Sequence, residues 1–209
     1  MGKVHLDELS NRYAFCDPSG GKRAVKRTKA RSAIVVVAQD AMSRFFVLHA
    51  WGDAVSTDTL IDTILDVQEK YQPRVFGVEA NAMQSLFVDT LLREAKFKGK
   101  KVPIRGIHQP TKINKEFRIR SVLQSIISDG RLFTQQHQID LYNEISSFPT
   151  GATCDIVDAL ASAIALAPAP RTRQQRDGEV DNLASYLRQS GAHPTEIEKR
   201  IRALERSRA

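Results

Sequence analysis

Asp17 and Glu79 each stand at the end of a short apolar run. Tyr13-Ala14-Phe15-Cys16-Asp17 breaks at once into Pro18-Ser19-Gly20-Gly21, and Arg74-Val75-Phe76-Gly77-Val78-Glu79 runs into Ala80-Asn81-Ala82-Met83. An acid at the last position of a buried strand is held by a rigid scaffold at the rim of a sheet. If the two strands are neighbours, at a spacing of about 4.8 Å, their carboxylates can share one metal ion or a pair. Asp155 and Asp158, three residues apart, fall on one face of a helix. Asp155 lies in its first turn, where the helix dipole favours an anion. Each acid alone has an ordinary structural role, as a helix-terminus acid, a solvated helix residue or a loop charge. Gathered at one point they repel and need a cation, and ligands that are all oxygen select Mg²⁺ or Mn²⁺. Two such ions about 3.5–4 Å apart activate a water and stabilise the leaving oxygen of a phosphodiester.

The charge pattern points to the same class of substrate. Lys22, Arg23, Lys26, Arg27, Lys29 and Arg31 put six basic residues into ten, with no acid among them, directly after the Asp17 turn. Such a run is either a solvated loop or a loop that grips phosphates. The chain of 209 residues carries a net charge of +7 and a pI near 9.6, which favours a polyanionic partner, nucleic acid first. Its 42% hydrophobic content suffices for a core, and no run approaches the ~18–20 apolar residues of a membrane span. The opening Met1-Gly2-Lys3-Val4-His5 lacks the apolar core of a signal peptide, so a cytosolic protein is expected. Cys16 and Cys154 are expected to be free thiols and offer no zinc framework.

The elements that must position these groups follow from periodicity. Ser32–Ala38 is a β-branched run suited to a strand buried on both faces, and Arg44–Trp51 is a second strand after a turn. With Tyr13–Asp17 they predict an antiparallel meander. Leu60, Ile61, Ile64, Leu65 and Val67 line a helix with Ser56 or Thr57 as N-cap and Pro73 as stop. A second helix over 84–97 (Leu86, Phe87, Leu91, Leu92) lies between the strands 74–79 and 102–107, an order that implies right-handed parallel crossovers. A third helix opens at Lys112-Ile113-Asn114-Lys115-Glu116-Phe117-Arg118, with Phe117, Ile119, Val122, Leu123, Ile126 and Ile127 as its apolar positions. A brief strand at Arg131–Phe133, a helix over 138–148 and an alanine-rich helix over 155–166 complete the domain. Residues 1–12 read as a lead-in or linker, 13–168 as the domain, and 169–209 as a polar linker and helical tail. The tail helices are placed at 182–189 and 195–206, the latter with a Thr195–Glu198 capping box.

Five short motifs in this order resemble a known family: Cys16-Asp17-Pro18-Ser19-Gly20-Gly21, Gly77-Val78-Glu79-Ala80-Asn81, Asn114-Lys115-Glu116-Phe117-Arg118-Ile119, Gly130-Arg131-Leu132-Phe133 and Asp155-Ile156-Val157-Asp158-Ala159-Leu160-Ala161. Over residues 12–167 the chain resembles the C-terminal nuclease domain of the tailed-bacteriophage terminase large subunit. That resemblance implies a ribonuclease H-like α/β fold, a mixed sheet of three antiparallel and then parallel strands flanked by helices. It implies Asp17, Glu79 and Asp155 as ligands of one or two Mg²⁺ or Mn²⁺ ions, with Asp158 a further ligand or a supporting acid. Lys115 and Arg118, with Lys112, would meet DNA phosphates or support the site. Where the family often has His-Asp-Asp before the last helix, this chain has Thr153-Cys154-Asp155. The implied activity is cleavage of double-stranded concatemeric viral DNA during packaging, in the bacterial host cytoplasm. An ATPase motor, a portal and a small terminase subunit would be its partners. Gly20-Gly21-Lys22 lacks the spacing of a nucleotide-binding phosphate loop, so the motor is expected elsewhere, on a longer chain or another one. The alternatives are a Holliday-junction resolvase or transposase-like nuclease of the same fold, or a non-catalytic DNA-binding assembly module.

Overall fold

The computed structural model describes residues 9–19, 31–80, 85–109, 113–168, 183–188 and 193–206. These group into two compact units, 9–40 with 44–167, and 168–206 with 41–43. The basic residues Lys22, Arg23, Lys26, Arg27 and Lys29, and Lys112, lie outside the described residues, as does the polar linker over 171–182.

The strands of the first unit are β1 (Asn11–Asp17), β2 (Ser32–Gln39), β3 (Phe45–Asp53), β4 (Val75–Glu79), β5 (Ile104–Ile107) and β6 (Leu132–Phe133). They form one six-stranded sheet in the order β5-β4-β1-β2-β3-β6. β1, β2 and β3 make the expected antiparallel meander. β4 pairs parallel with β1, and β5 parallel with β4. The short β6 lies parallel to β3 at the opposite edge.

Period-two alternation decides which acid faces what. Ala14, Cys16, Ile34, Val36, Phe76 and Val78 pack under the helices α1 (Thr57–Tyr71) and α2 (Ser85–Phe97). Tyr13, Phe15, Val35 and Val37 face the other way, toward α3 (Lys115–Ser128), α4 (Ile139–Ser147) and α5 (Asp155–Ala165). Asp17 has the parity of Phe15, and Glu79 that of Gly77, so both acids belong to the α5 face. α5 lies across β1 and β2, and its fully buried Ala159 and Ala163 allow that close seat. Gly77 is required for the same reason. A Cβ there would come within 2.7 Å of Phe15 and 2.9 Å of Leu166, which cover β4.

Four expected apolar positions are exposed instead. Phe117 and Ile127 of α3, and Leu86 and Leu92 of α2, stand outside the core. Each helix is covered along a narrow line, α3 by α5 and α2 by α1 and β5, so α3 buries Ile119, Leu123 and Ile126, and α2 buries Leu91 and Ala95. β5 starts at Ile104 rather than Val102. In the second unit, α6 (183–188) buries Ala184 and Leu187, and α7 (Pro194–Arg206) carries the pairs Arg200–Glu196 and Arg202–Glu198. The expected capping box does not form. Pro194 occupies the first helical position, which suits its fixed φ and missing N–H, so Thr195 is already inside the helix. There its N–H and hydroxyl meet His193 Nδ1 rather than Glu198.

Candidate active site

The register that pairs Cys16 with Val78 brings the next residues of β1 and β4, Asp17 and Glu79, side by side. The two carboxyl groups hydrogen-bond each other. Burial raises the Asp17 carboxyl to about 8; Glu79 and Asp158 push in the same direction, and Lys115 opposes them. Asp17 is therefore held toward its protonated form, with the Glu79 carboxyl beside it. Burial, with the same two acids nearby, also pushes the Cys16 thiol well up, which leaves it an inert core group. Cys154 is likewise a free thiol.

The turn that follows Asp17 is pinned. Ser32, buried at the start of β2, receives the Ser19 N–H at 3.0 Å and donates to the Ser19 hydroxyl at 3.0 Å. The ends of the connection that carries the basic run are thus held together beside the acids.

α5 contributes its acids unequally. Asp158 is 3% exposed and fully engaged. One terminal nitrogen of Arg118 donates to both of its oxygens, at 2.6 and 2.8 Å, and Lys115 Nζ lies 3.1 Å away. Asp155 is more open and has Lys115 at 3.7 Å. Of the two helix acids, Asp158 is the one whose charge bears on Asp17. Lys115 sits amid the cluster; burial works against its charge, but Asp158 first, then Cys154, outweigh it and hold its pKa above the ordinary value. Lys115 and Arg118, expected on DNA or in support of the acids, thus both lie on Asp158.

Glu144, which holds the start of α5, was not among the residues singled out by spacing or motif. Cys154 provides no side-chain cap for this helix. Glu144, buried in α4, does so from outside: it accepts the N–H groups of Ile156 at 2.9 Å and Val157 at 3.1 Å, and the Thr153 hydroxyl at 2.9 Å. A carboxylate on the first N–H groups of a helix is favoured by the orphan donors and by the dipole. Arg31 completes the clamp. One guanidinium nitrogen lies 3.6 Å from Glu144 and another donates to the Gly52 carbonyl at 2.5 Å. The last member of the basic run is therefore engaged within the fold.

Among the described residues, no three His, Cys, Asp or Glu side chains close on one point as a finished metal cage. The donor set nevertheless fits a hard divalent ion. Asp17 and Glu79 are adjacent oxygen donors, the second raising the affinity of the first for a proton, and a divalent ion would relieve the same repulsion by taking that proton's place.

No protein-family model matches the chain, and no curated protein does. Solved structures are similar at low identity. The large terminase nuclease from thermophilic phage G20c, solved with bound zinc, is 14% identical, with a TM-score of 0.51 over 68% of this chain and 78% of that one. The P22 large terminase nuclease domain is 12% identical, at 0.49 over 80% and 86%. RuvC of T. thermophilus, in complex with a Holliday junction substrate, is 14% identical, at 0.40 over 72% and 90%. With its strand order, its single reversed strand β2 and α5 seated over β1, this chain has the ribonuclease H-like fold.

Proposed function

We propose that this protein is a metal-dependent endonuclease that cuts double-stranded DNA, serving viral genome packaging as the nuclease of a terminase large subunit. The observation that carries this reading is the paired carboxyls of Asp17 and Glu79, at the ends of adjacent parallel strands and beneath Asp158 of α5. Ligand sites of open α/β sheets form at such strand ends, where the connections diverge. The likeness in fold to the G20c terminase nuclease and the five sequence motifs in their order support the packaging role.

Asp17 and Glu79 would hold Mg²⁺ or Mn²⁺, with Asp158 or Asp155 as the third acid. Bound there, the metal supplies a polarised phosphate and an activated water. The chain's own groups do the rest. Lys115 and Arg118 balance Asp158 and keep it aimed at the strand ends. The basic run after Asp17 would hold the duplex through its phosphates, which gives little sequence preference. The motor, portal and small subunit belong to this proposal as partners.

The test is nicking of supercoiled plasmid with Mg²⁺ or Mn²⁺ against EDTA, run beside a four-way junction. Metal-dependent cutting of plasmid is expected. Strong preference for the junction would shift the reading to a resolvase, and DNA binding with no cleavage in either metal would leave a non-catalytic assembly module.

A further inference from the structure

A second polar crevice lies behind the acid cluster, on the same face of the sheet. Its volume is about 250 Å³. Phe15 and Leu166 line its apolar side, and Arg105, Gln109, Arg118 and Ser162 supply its polar groups. β5 is the edge strand, so the crevice sits at the border of the sheet, between β5 and the helices α3 and α5.

Its polar groups have capacity to spare. Arg118 spends one terminal nitrogen on Asp158, and its Nε is buried away from the crevice, so the free donors are those of its neighbours. Arg105 is exposed and makes no ion pair among the described residues. Gln109 Nε2 donates to Ser162 Oγ at 3.1 Å, which leaves the serine hydroxyl hydrogen available. With Arg118 balanced by Asp158, the crevice retains one net positive charge from Arg105 and several N–H and O–H donors. That combination recognises a monoanion with several acceptor oxygens. The apolar side suits a deoxyribose, and the volume, below the roughly 300 Å³ of ordinary small-molecule pockets, matches a backbone unit better than a whole nucleotide. Phe15 is two residues before Asp17, about 7 Å along the strand, a distance of the order of one nucleotide step.

We infer that the crevice binds a backbone phosphodiester of the DNA strand, next to the one held at Asp17 and Glu79. This rests on the nuclease reading for its substrate, but its test does not require metal or cleavage. The probe is a fluorescein-labelled 20-base-pair duplex, followed by anisotropy in EDTA over a range of salt. Arg105→Ala is expected to weaken binding about 5–10-fold and to lower the salt slope by about one phosphate contact. Arg105→Lys should keep most of the slope, and Arg93→Ala, an exposed control on α2, should change neither. Unaltered affinity and slope in Arg105→Ala, with the wild type binding normally, would overturn the crevice and leave the nuclease reading intact. Absence of duplex binding by the wild type would overturn both. Inorganic phosphate shifting the Arg105 Nε resonance, without any effect of Arg105→Ala on DNA, would make this a free-anion site and overturn the assignment to DNA.

Discussion

Replacing Asp17 by Asn is expected to abolish metal-dependent nicking, by on the order of 10³-fold or more, while making the metal-free protein more stable at alkaline pH. The two effects share one cause. A fall of that size is about 4 kcal/mol of transition-state stabilisation, within what one metal ligand supplies. The stability effect follows from burial beside Glu79 and Asp158, which raises the Asp17 carboxyl to about 8. Its ordinary value is 3.8, so between those limits the folded protein holds a proton that the unfolded chain has released. Stability therefore falls as pH rises through that window and levels off above the folded pKa. Asn carries no charge and removes this penalty. Urea titrations in EDTA at pH 5, 7 and 9 should show the wild type losing on the order of 2–4 kcal/mol that Asp17→Asn retains. Parallel pH dependence in the two proteins would remove Asp17 from the centre of the acid cluster.

Glu144→Ala should produce the largest loss of stability among single substitutions near the site. It strips the acceptor from the Ile156 and Val157 N–H groups and from Thr153, all at the start of α5. It also leaves Arg31 with only its bond to the Gly52 carbonyl among those described. Breaking a buried charged network on one side costs about 3–5 kcal/mol. Glu144→Gln keeps an acceptor oxygen but loses the charge, so its cost should be smaller, about 1–3 kcal/mol. Because Glu144 sets the first turn of α5, it also positions Asp155 and Asp158. Calorimetric titration of folded Glu144→Gln should show Mn²⁺ affinity reduced by about 10-fold, the lower end of what supporting residues contribute at metal sites. A variant with lowered stability but wild-type Mn²⁺ affinity would confine Glu144 to a structural role.

These two residues also mark how far the sequence could be read. Asp17 was legible because a strand's period of two and its abrupt Pro/Gly ending can be read locally. Glu79 needed only the further inference that its strand lies beside β1, and the parallel register realises it. Glu144 was not legible. In a sequence it is one polar position in an amphipathic helix, and its value comes from α4 and α5 meeting so that its carboxylate reaches a helix end twelve residues on. The grip of Arg118 on Asp158 spans forty positions and is hidden for the same reason. Arg31 read as one of six like charges, yet it lies where the Glu144 carboxylate and the Gly52 carbonyl converge. Phe117, Leu86 and their exposed companions failed differently. Apolar spacing marks a face, but it cannot say how wide a strip of that face its neighbours will cover.

The balance of charge around Asp158 bears on how the site would work. Lys115 and Arg118 already neutralise it, whereas Asp17 beside Glu79 is held toward its protonated form by burial and by the neighbouring acids. The strand-end pair is therefore where a divalent ion would relieve most repulsion, and Asp158 would join it as an acid held by its two cations.

The most direct measurement is anomalous diffraction from a crystal soaked in Mn²⁺. A manganese peak is expected about 2.1 Å from carboxylate oxygens of both Asp17 and Glu79, with an oxygen of Asp158 or Asp155 completing the protein ligands. A fully soaked crystal with no peak between Asp17 and Glu79, and Lys115 still resting on Asp158, would contradict it.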